Sequence, residues 1–268
     1  MAPLHPQIQP TPHETPAARK AGEIGRHVRA GWHALLDFLY PPACPVCLAA
    51  TAQHDGLCAT CWSGLSLIER PYCERLGLPF DIDVGTPLLS PAALADPPAF
   101  QRARAAVRYD ATARLLVHRL KYSDRAELAR LMAGMMIRAG RDLLPDADLI
   151  VPVPLHTRRL WARRFNQSAL LGMRLSAHTG LPCDTAALAR RKPTRPQAGL
   201  SRAERATNLQ GAFHVGEHRR MAVEGRRILL VDDVLTTGAT ANACARALLR
   251  AGARDVDVLV FARVVAAN

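Results

Sequence analysis

The stretch RRILLVDDVLTTGAT, residues 226–240, constrains the fold more than any other part of this chain. Four apolar residues at 228–231 run directly into Asp232 and Asp233, and a loop of small residues then leads into a helical pattern. An uninterrupted apolar run is typical of a strand buried on both faces of a parallel sheet. We therefore predict a strand at 227–231, a helix at 239–250, and two carboxylates at the carboxyl end of that strand.

The residues after this strand indicate an anion site. Ligands of open α/β sheets bind at the carboxyl ends of the strands. A loop of small residues ahead of a helix offers backbone N–H groups, threonine hydroxyls and the positive end of the helix dipole to a phosphate. The two carboxylates can accept hydrogen bonds from a neighbouring sugar diol, so the pattern favours a ribose 5-phosphate. The alternative is a capped turn in which the polar residues only start a helix.

The C-terminal two-thirds of the chain alternates strand and helix patterns. Such alternation, with apolar strands, predicts an α/β fold with a parallel sheet and helices on its faces. The further strands are expected at 104–109, 148–154 and 255–265, and the further helices at 111–120, 124–140 and 165–180. The nucleotide-binding patterns G-x4-G-K-[ST] and G-x-G-x-x-G do not occur, and no internal repeat is evident.

Four cysteines form a C-x2-C-x10-C-x2-C pattern: Cys44, Cys47, Cys58 and Cys61. Each pair can present two thiolates from one tight turn, and two such turns close a tetrahedral zinc site. With four protein ligands the site would be structural, because no coordination position is left for chemistry. Disulfides or redox-active pairs are the alternative, although the βαβ pattern expected beside a redox C-x-x-C is absent here.

Composition divides the chain into four predicted regions. Residues 1–22 are polar and proline-rich and are expected to be disordered, and 23–76 would hold a helix at 24–40 and the cysteine module. Residues 77–99 are interpreted as a proline-rich linker, and 100–268 as the α/β domain. The helix would pack on the protein or, alternatively, lie on a membrane surface. Without a signal peptide pattern or an apolar run of about 18 residues, a cytoplasmic location is expected.

Positive charge is concentrated in the α/β domain. The chain has a formal net charge of +12, yet residues 1–100 hold 6 Lys/Arg and 9 Asp/Glu. Residues 156–205 alone carry eleven Lys/Arg against two acidic residues. Such a domain suits phosphates, either in nucleic acid or in a phosphorylated small molecule. The alternative explanation of the positive charge is solubility together with a coding bias towards arginine, since arginine far outnumbers lysine.

Several of these segments carry a resemblance to a known family. ILLVDDVLTTGAT resembles the phosphoribosyl-pyrophosphate (PRPP) motif of type I phosphoribosyltransferases. VPVPLHTRRLWARRFNQSALL (151–171), TRPQAGLSRAERATNLQGAF (194–213) and the cysteine pairs resemble the ComF family of competence-associated, phosphoribosyltransferase-like proteins. The resemblance begins near residue 35. It implies a type I phosphoribosyltransferase-like sheet flanked by helices, preceded by a small zinc-ribbon-like module.

The resemblance also implies roles for individual residues. Asp232 and Asp233 would bind the ribose hydroxyls, and residues 155–159 and 197–208 would form the pyrophosphate loop and the flexible loop. The 5′-phosphate would bind at five consecutive residues: Thr236, Thr237, Gly238, Ala239 and Thr240. Three arginines are candidates for stabilising the charge of the departing pyrophosphate, together with Mg²⁺ held by the ligand: Arg158, Arg159 and Arg205. The alternative is that these arginines are surface cations.

This chain departs from the family pattern at two places. The Arg-Gly-Phe-Asn-Gln signature is met by Arg163 and by Phe165 to Gln167, but Arg164 replaces the glycine. Many relatives carry further C-x-x-C pairs, whereas here Leu76 stands where a partner for Cys73 would be. We therefore expect one zinc ion rather than two.

Three functions stay open at this point. The protein could be a phosphoribosyltransferase, a non-enzymatic factor that handles single-stranded DNA during uptake and natural transformation, or a regulator that senses PRPP. Its expected partners are PRPP or another ribose phosphate and single-stranded DNA, with a homodimer as a further possibility. Lys121 is interpreted mainly as a solvated lysine at a helix end, with a role in the site as the alternative.

Overall fold

The computed structural model describes residues 41–52, 56–83, 85, 88–122, 126–155, 165–191, 209 and 211–265. The predicted tail and the predicted helix at 24–40 lie outside these residues. The elements, in chain order, are α1 (Ala59–Ser63), α2 (Pro91–Ala95), β1 (Ala103–Arg108), α3 (Ala111–Tyr122), α4 (Ala126–Ala139), a 3-10 turn (Leu144–Asp146), β2 (Leu149–Pro152), α5 (Gln167–Thr179), β3 (Ala189–Arg190), β4 (Phe213–His214), α6 (Glu217–Val223), β5 (Arg227–Leu235), α7 (Ala239–Arg250) and β6 (Asp255–Arg263).

Four of the strands form one parallel sheet in the order β1-β6-β5-β2. In its register, Ile228 of β5 lies beside Leu149 of β2 on one side and beside Val256 of β6 on the other. The strand with the two aspartates is therefore central in the sheet. The parallel α/β architecture predicted from the sequence is confirmed.

The central strand β5 is longer than predicted. It continues past Val231 to Leu235, because Val234 and Leu235 still pair with Ala262 and Arg263 of β6. Asp232 and Asp233 therefore lie within the last part of the strand, and the prediction that the strand ends at residue 231 is wrong. Pairing with a nine-residue neighbour outweighs the low strand preference of two acidic residues.

Both faces of the sheet are buried, which explains the continuous apolar run of β5. Ile228 and Leu230 belong to a core cluster that includes Cys244 and Leu248 of α7. Leu229 and Val231 point to the other face, where the cluster includes residues of α3, α4 and α5. Among the described residues, helices thus cover the sheet on both sides, so a ligand would bind at the strand ends.

The cysteine module is attached to the edge strand β1. Ile68 N donates to Ala106 O at 3.0 Å, and Arg108 N donates to Ser66 O at 2.8 Å. This strand-like pairing covers an edge that would otherwise expose unpaired backbone groups. The predicted domain limits stay a prediction, and within the predicted linker at 77–99 the structure places helix α2.

A buried guanidinium reinforces this attachment. Arg104 of β1 is 2% exposed and lies 2.8 Å from Glu74 Oε2 in the module and 2.7 Å from Asp142 Oδ2 after α4. It also donates to Glu74 O at 2.8 Å and stacks on the ring of Tyr72. Because a buried charge without partners is costly, these contacts hold the module and the sheet together.

Among the residues that the structure describes, none belongs to a helix with the length and apolar character that a membrane span requires.

Candidate functional site

Asp232 and Asp233 are held in different environments at the end of β5. The side chain of Asp233 is buried, whereas Asp232 keeps partial exposure. Asp232 Oδ1 accepts hydrogen bonds from Ser168 Oγ at 2.8 Å and from the backbone N–H of Asp233 at 2.9 Å. The carboxylate is thus fixed by a hydroxyl of α5 and by its own strand.

Asp233 is paired with Lys121, at the end of α3. Lys121 Nζ lies 2.7 Å from Asp233 Oδ2, and Gln167 Nε2 lies 3.4 Å from the same oxygen. The side chain of Lys121 is only 22% exposed. The interpretation of Lys121 as a solvated helix-end lysine is therefore wrong, because the packing of α3 against the sheet brings its ammonium group to the acidic pair.

The start of α5 supports both aspartates. Asn166 is the N-cap residue: its Oδ1 accepts from Ser168 N at 3.1 Å, and its Nδ2 donates to Val153 O at 3.0 Å. This fixes the start of the helix to the end of β2 and places Gln167 and Ser168, both buried, against the acidic pair. The sequence motif indicated these residues, but not that they hold the aspartates.

Burial raises the pKa of Asp232, to about 7, and the negative charge of Asp233 adds to this rise. The hydrogen bond from Ser168 and the positive charge of Lys121 act in the opposite direction without cancelling it. Near neutral pH the carboxyl of Asp232 can therefore gain or lose a proton.

The loop after β5 presents the N-terminus of α7 to the same edge of the sheet. Gly238 is its N-cap residue, with φ of +81°, and Thr237 Oγ1 accepts from Ala239 N at 3.5 Å. A left-handed conformation of this kind favours glycine. The first turn contains no acidic residue, and Thr236 and Thr237 are exposed. A narrow crevice of about 20 Å³ runs between this loop and Asp232.

The structure therefore brings together the seven residues predicted to bind PRPP. Asp232 and Asp233 lie at the end of β5, and the loop from Thr236 leads through Gly238 into α7. The catalytic candidates Arg158, Arg159 and Arg205 lie outside the described residues, as do residues 156–159 of the first predicted loop and all of the second. Their roles stay predictions.

The four cysteines of the first pattern form a compact cluster. The sulfur atoms of Cys44, Cys47, Cys58 and Cys61 all lie within 4.8 Å of one another. The Sγ atoms of Cys47 and Cys58 are 3.4 Å apart, well beyond the roughly 2.05 Å of a disulfide, and the cysteines are free thiols. This spacing fits four thiolates around one zinc ion with Zn–S distances of about 2.3 Å.

Backbone groups favour the thiolate form at Cys44. Burial acts to raise its pKa, but N–H groups of Cys58, Cys47 and Val46 outweigh burial and lower the pKa to about 6. Cys58 in turn is the N-cap residue of α1, with its sulfur accepting from Cys61 N at 3.4 Å. At Cys61, burial and the neighbouring thiols act the other way and raise the pKa, so the case for a structural zinc ion rests on the geometry of the four sulfur atoms.

The fold and the two clusters define a phosphoribosyltransferase-like α/β domain preceded by a zinc ribbon. Family models agree: one described as a double zinc ribbon domain matches residues 35–92, and one described as a phosphoribosyl transferase domain matches residues 168–267. The zinc cluster lies in the first of these regions and the acidic pair in the second.

Comparison with known proteins identifies the family. The chain is 36% identical to the DNA utilization protein YhgH of Escherichia coli O157:H7 over 231 residues, covering 84% of this chain and 98% of that protein. It is 35% identical to competence protein F of Haemophilus influenzae over 156 residues, covering 56% and 67%. Competence protein ComFC of Bacillus subtilis is 25% identical, covering 74% and 80%. The chain belongs to the ComF family.

Solved structures with some likeness include a PRPP amidotransferase and a phosphoribosyltransferase. Glutamine PRPP amidotransferase from B. subtilis, complexed with ADP and GMP, is 22% identical over 53% of this chain and 30% of that one, with a TM-score of 0.36. Adenine phosphoribosyltransferase from Leishmania tarentolae is 17% identical over 63% and 64%, with a TM-score of 0.31. Likenesses at these scores carry no functional conclusion.

Proposed function

We propose that this protein binds PRPP, or another ribose 5-phosphate, at the carboxyl end of β5. The observation that carries the proposal is the placement of Asp232 and Asp233 near the end of β5, a short loop ahead of the N-terminus of α7, where Thr237 Oγ1 accepts from Ala239 N at 3.5 Å. The carboxylates would accept hydrogen bonds from the ribose hydroxyls. The backbone N–H groups and threonine hydroxyls of residues 236–240 would bind the 5′-phosphate.

The electrostatics of the loop support this assignment. A phosphate at the start of α7 would meet the positive end of the helix dipole, with no acidic side chain in the first turn to repel it. The match of residues 168–267 to the phosphoribosyl transferase domain covers the whole of this loop and strand. A helix cap alone would not require two carboxylates held by three other side chains.

Lys121 belongs to the same proposed site as a positioning residue. Its contact with Asp233 supplies a positive charge beside two adjacent carboxylates, of which Asp233 is buried and Asp232 is partly exposed. A diphosphate bound beside the pair would compete for that ammonium group. Lys121 would then hold the acidic pair in place and also contribute to the affinity for anionic ligands.

Transfer of the ribosyl group would rest on stabilising pyrophosphate as it leaves the sugar. Mg²⁺ bound together with PRPP would neutralise part of that charge. Arg158, Arg159 and Arg205 are proposed to contribute the remaining positive charge from the two loops. If the protein only senses or holds PRPP, the binding residues are unchanged and pyrophosphate is not released.

Handling of single-stranded DNA is a second candidate function. Two relatives are named for competence and another for DNA utilization. A cavity of about 370 Å³ between the module and α4 is lined by Trp62, Tyr72, Arg138 and Arg141, among others, and Trp62 is 46% exposed. The exposed indole of Trp62 beside arginines suits a stacked base and a phosphate backbone, although Glu69 also lines the cavity and pairs with Arg138. A cytoplasmic location and a homodimer stay predictions from the sequence.

A panel of ligands tests the first proposal. Thermal unfolding of the zinc-loaded chain would be followed with Mg²⁺ and, in turn, PRPP, ribose 5-phosphate, pyrophosphate and glucose 6-phosphate. We expect PRPP to raise the Tm most and ribose 5-phosphate to raise it less, with glucose 6-phosphate without effect. Equal stabilisation by all phosphates would contradict a ribose site. Release of pyrophosphate with a panel of nucleobases would separate transfer from binding.

A further inference from the structure

Residues 42–51 and 71–80 form two turns with the same backbone hydrogen bonds. In the first turn, Cys44 N donates to Ala49 O at 2.7 Å, Leu48 N to Cys44 O at 2.9 Å and Thr51 N to Pro42 O at 2.9 Å. The second turn has the same three bonds, shifted along the chain: Cys73 N to Leu78 O at 2.7 Å, Gly77 N to Cys73 O at 2.7 Å and Phe80 N to Pro71 O at 2.9 Å. A single antiparallel bridge closes each turn, Ala43 with Ala50 and Tyr72 with Pro79. Cys73 therefore stands where Cys44 stands in the first turn.

The backbone conformation follows the same correspondence. Leu48 has a φ of +66° and Gly77 a φ of +63°, at equivalent places four residues after the cysteine. Leu48 adopts this left-handed conformation despite its side chain. A Cβ atom at Gly77 would lie 2.3 Å from Ala103 O, so the second turn needs glycine for its contact with β1. On this alignment Leu76 occupies the position of Cys47.

The two short helices extend the correspondence to the other pair of ligands. Cys58 is the N-cap residue of α1, and its sulfur accepts from Cys61 N. Ser90 is the N-cap residue of α2, with φ of −71° against −67° at Cys58, and its hydroxyl accepts from Ala93 N at 3.3 Å. Ser90 and Ala93 therefore stand at the positions of Cys58 and Cys61.

The surroundings of the two leading cysteines also agree. N–H groups of Cys58 and Cys47 point at the sulfur of Cys44. The sulfur of Cys73 accepts from the equivalent groups, Ser90 N at 3.2 Å and Leu76 N at 3.4 Å. The chain thus contains a structural repeat, and the expectation of no repeat is wrong. The family resemblance indicated the positions of Cys73 and Leu76, whereas the structure adds Ser90 and Ala93.

The second half does not fit a zinc ion. A zinc ribbon needs four nitrogen or sulfur ligands, and here one thiol is accompanied by a hydroxyl, an isobutyl group and a methyl group. Cys73, Ser90 and Ala93 are at most 5% exposed, and Leu76 packs against the core. Ser90 N and Leu76 N donate to the sulfur of Cys73, and these four positions offer one thiol and no other metal-binding nitrogen or sulfur.

Contacts with the α/β domain stabilise this half instead. Arg75 O accepts from Ala103 N at 2.9 Å, and Glu74, next to Cys73, binds the buried Arg104. These contacts fix the turn to β1 from outside. A zinc ribbon usually depends on its metal ion for folding because it has little hydrophobic core. In this half, the contacts with strand β1 provide the stabilisation instead.

We propose that residues 71–95 are a metal-free copy of the zinc-binding half, with Cys73, Leu76, Ser90 and Ala93 at the four ligand positions. The chain consequently binds one zinc ion although it has the fold of a double ribbon. Leu76→Cys, Ser90→Cys and Ala93→Cys together would complete a second site with four cysteine ligands.

Metal content per chain tests the proposal on the full-length protein. We expect one zinc in the wild type and two in the triple variant, and a second equivalent of Co²⁺ should give the absorption of a tetrahedral thiolate site. A matched variant with Leu76→Ser and Ala93→Ser should keep one zinc. A wild type with two ions, or a folded triple variant with one, would overturn the proposal.

Single substitutions decide the question if the triple variant does not fold. Cys73→Ser should leave one zinc per chain, because Cys73 is not a ligand. Cys44→Ser, at the equivalent position of the first half, should abolish stoichiometric zinc binding. Loss of zinc from Cys73→Ser, or its retention in Cys44→Ser, would show that the two halves have been assigned wrongly.

Discussion

Lys121 Nζ lies 2.7 Å from Asp233 Oδ2, which joins the end of α3 to the end of β5. Lys121 comes from a segment far upstream in the sequence, and this contact adds its positive charge to the site formed by Asp232 and Asp233. It also means that the pair is stabilised by a positive charge before any ligand arrives.

Lys121→Ala should weaken the binding of PRPP by roughly 10-fold, since a charge-assisted hydrogen bond is worth about 1.5–3 kcal/mol and part of this loss falls on folding. Calorimetry with PRPP and Mg²⁺ measures the affinity. Arg114→Ala, which removes an exposed charge from the same helix, is the matched control and should bind normally. An equal loss of PRPP affinity in the two variants would mean that Lys121 acts only through its general positive charge and not through its contact with Asp233.

Asp232→Asn should stabilise the free protein at high pH. The pKa of Asp232 is raised in the folded chain, so its protonated form favours folding at low pH, and this contribution is lost as pH rises through about 7. Asparagine can still accept from Ser168 Oγ and carries no charge. The Tm of the variant minus the Tm of the wild type should be roughly 3–8 °C larger at pH 8.5 than at pH 5.5.

Thermal melts of both proteins at the two pH values, without ligand, provide the measurement. Asp255→Asn serves as the control, because it makes the same change at the other end of the sheet. A difference in Tm that is the same at both pH values would contradict the assigned role of burial.

Arg104→Met should destabilise the protein by about 3 kcal/mol, at the lower end for a broken buried ion pair because both carboxylates are partly exposed. Urea unfolding of the zinc-loaded protein measures the free energy of unfolding. Arg254→Met removes an exposed arginine with longer contacts to Asp148 and Asp255, and should cost at most about 1 kcal/mol. Similar costs for the two substitutions would mean that Arg104 does not anchor the module.

Trp62→Ala should weaken binding of a single-stranded oligonucleotide by roughly 5- to 100-fold, the range expected for the loss of one stacked base. Fluorescence anisotropy at about 50 mM salt measures the affinity, and the affinity should fall as salt rises. Trp62→Phe is the matched control and should retain most of the binding. If the wild type does not bind at this salt concentration, the DNA candidate is excluded. If Trp62→Ala binds as tightly as the wild type, the cavity beside Trp62 is not the site.

Much of the fold was predictable because its signals are local. The continuous apolar run of β5 follows from burial on both faces, and the glycine loop before α7 marks the helix start. The position of the strand end was not predictable, because among the described strands it is β6 that pairs with β5 beyond Val231, at Asp232, Val234 and Leu235. That pairing joins segments whose register no local pattern encodes.

The site was predictable in its residues and less so in its contacts. Asp232, Asp233 and the threonine loop are adjacent in sequence, so their meeting required no tertiary information. Lys121 reaches Asp233 only after α3 has packed on the sheet. The repeat of the ribbon was only partly predictable for another reason: backbone hydrogen bonds define it, while three of its four ligand residues have changed type.

Calorimetric titration of PRPP with Mg²⁺ into the zinc-loaded chain tests the central claim most directly. The wild type should bind one equivalent, and Asp232→Asn combined with Asp233→Asn should lower the affinity by at least about 100-fold, since two charged hydrogen-bond acceptors for the ribose are lost. Asp148→Asn combined with Asp255→Asn, at the opposite end of the sheet, should bind like the wild type. No binding by the wild type, or undiminished binding by the Asp232/Asp233 double variant, would contradict the assignment of a ribose phosphate site to the end of β5.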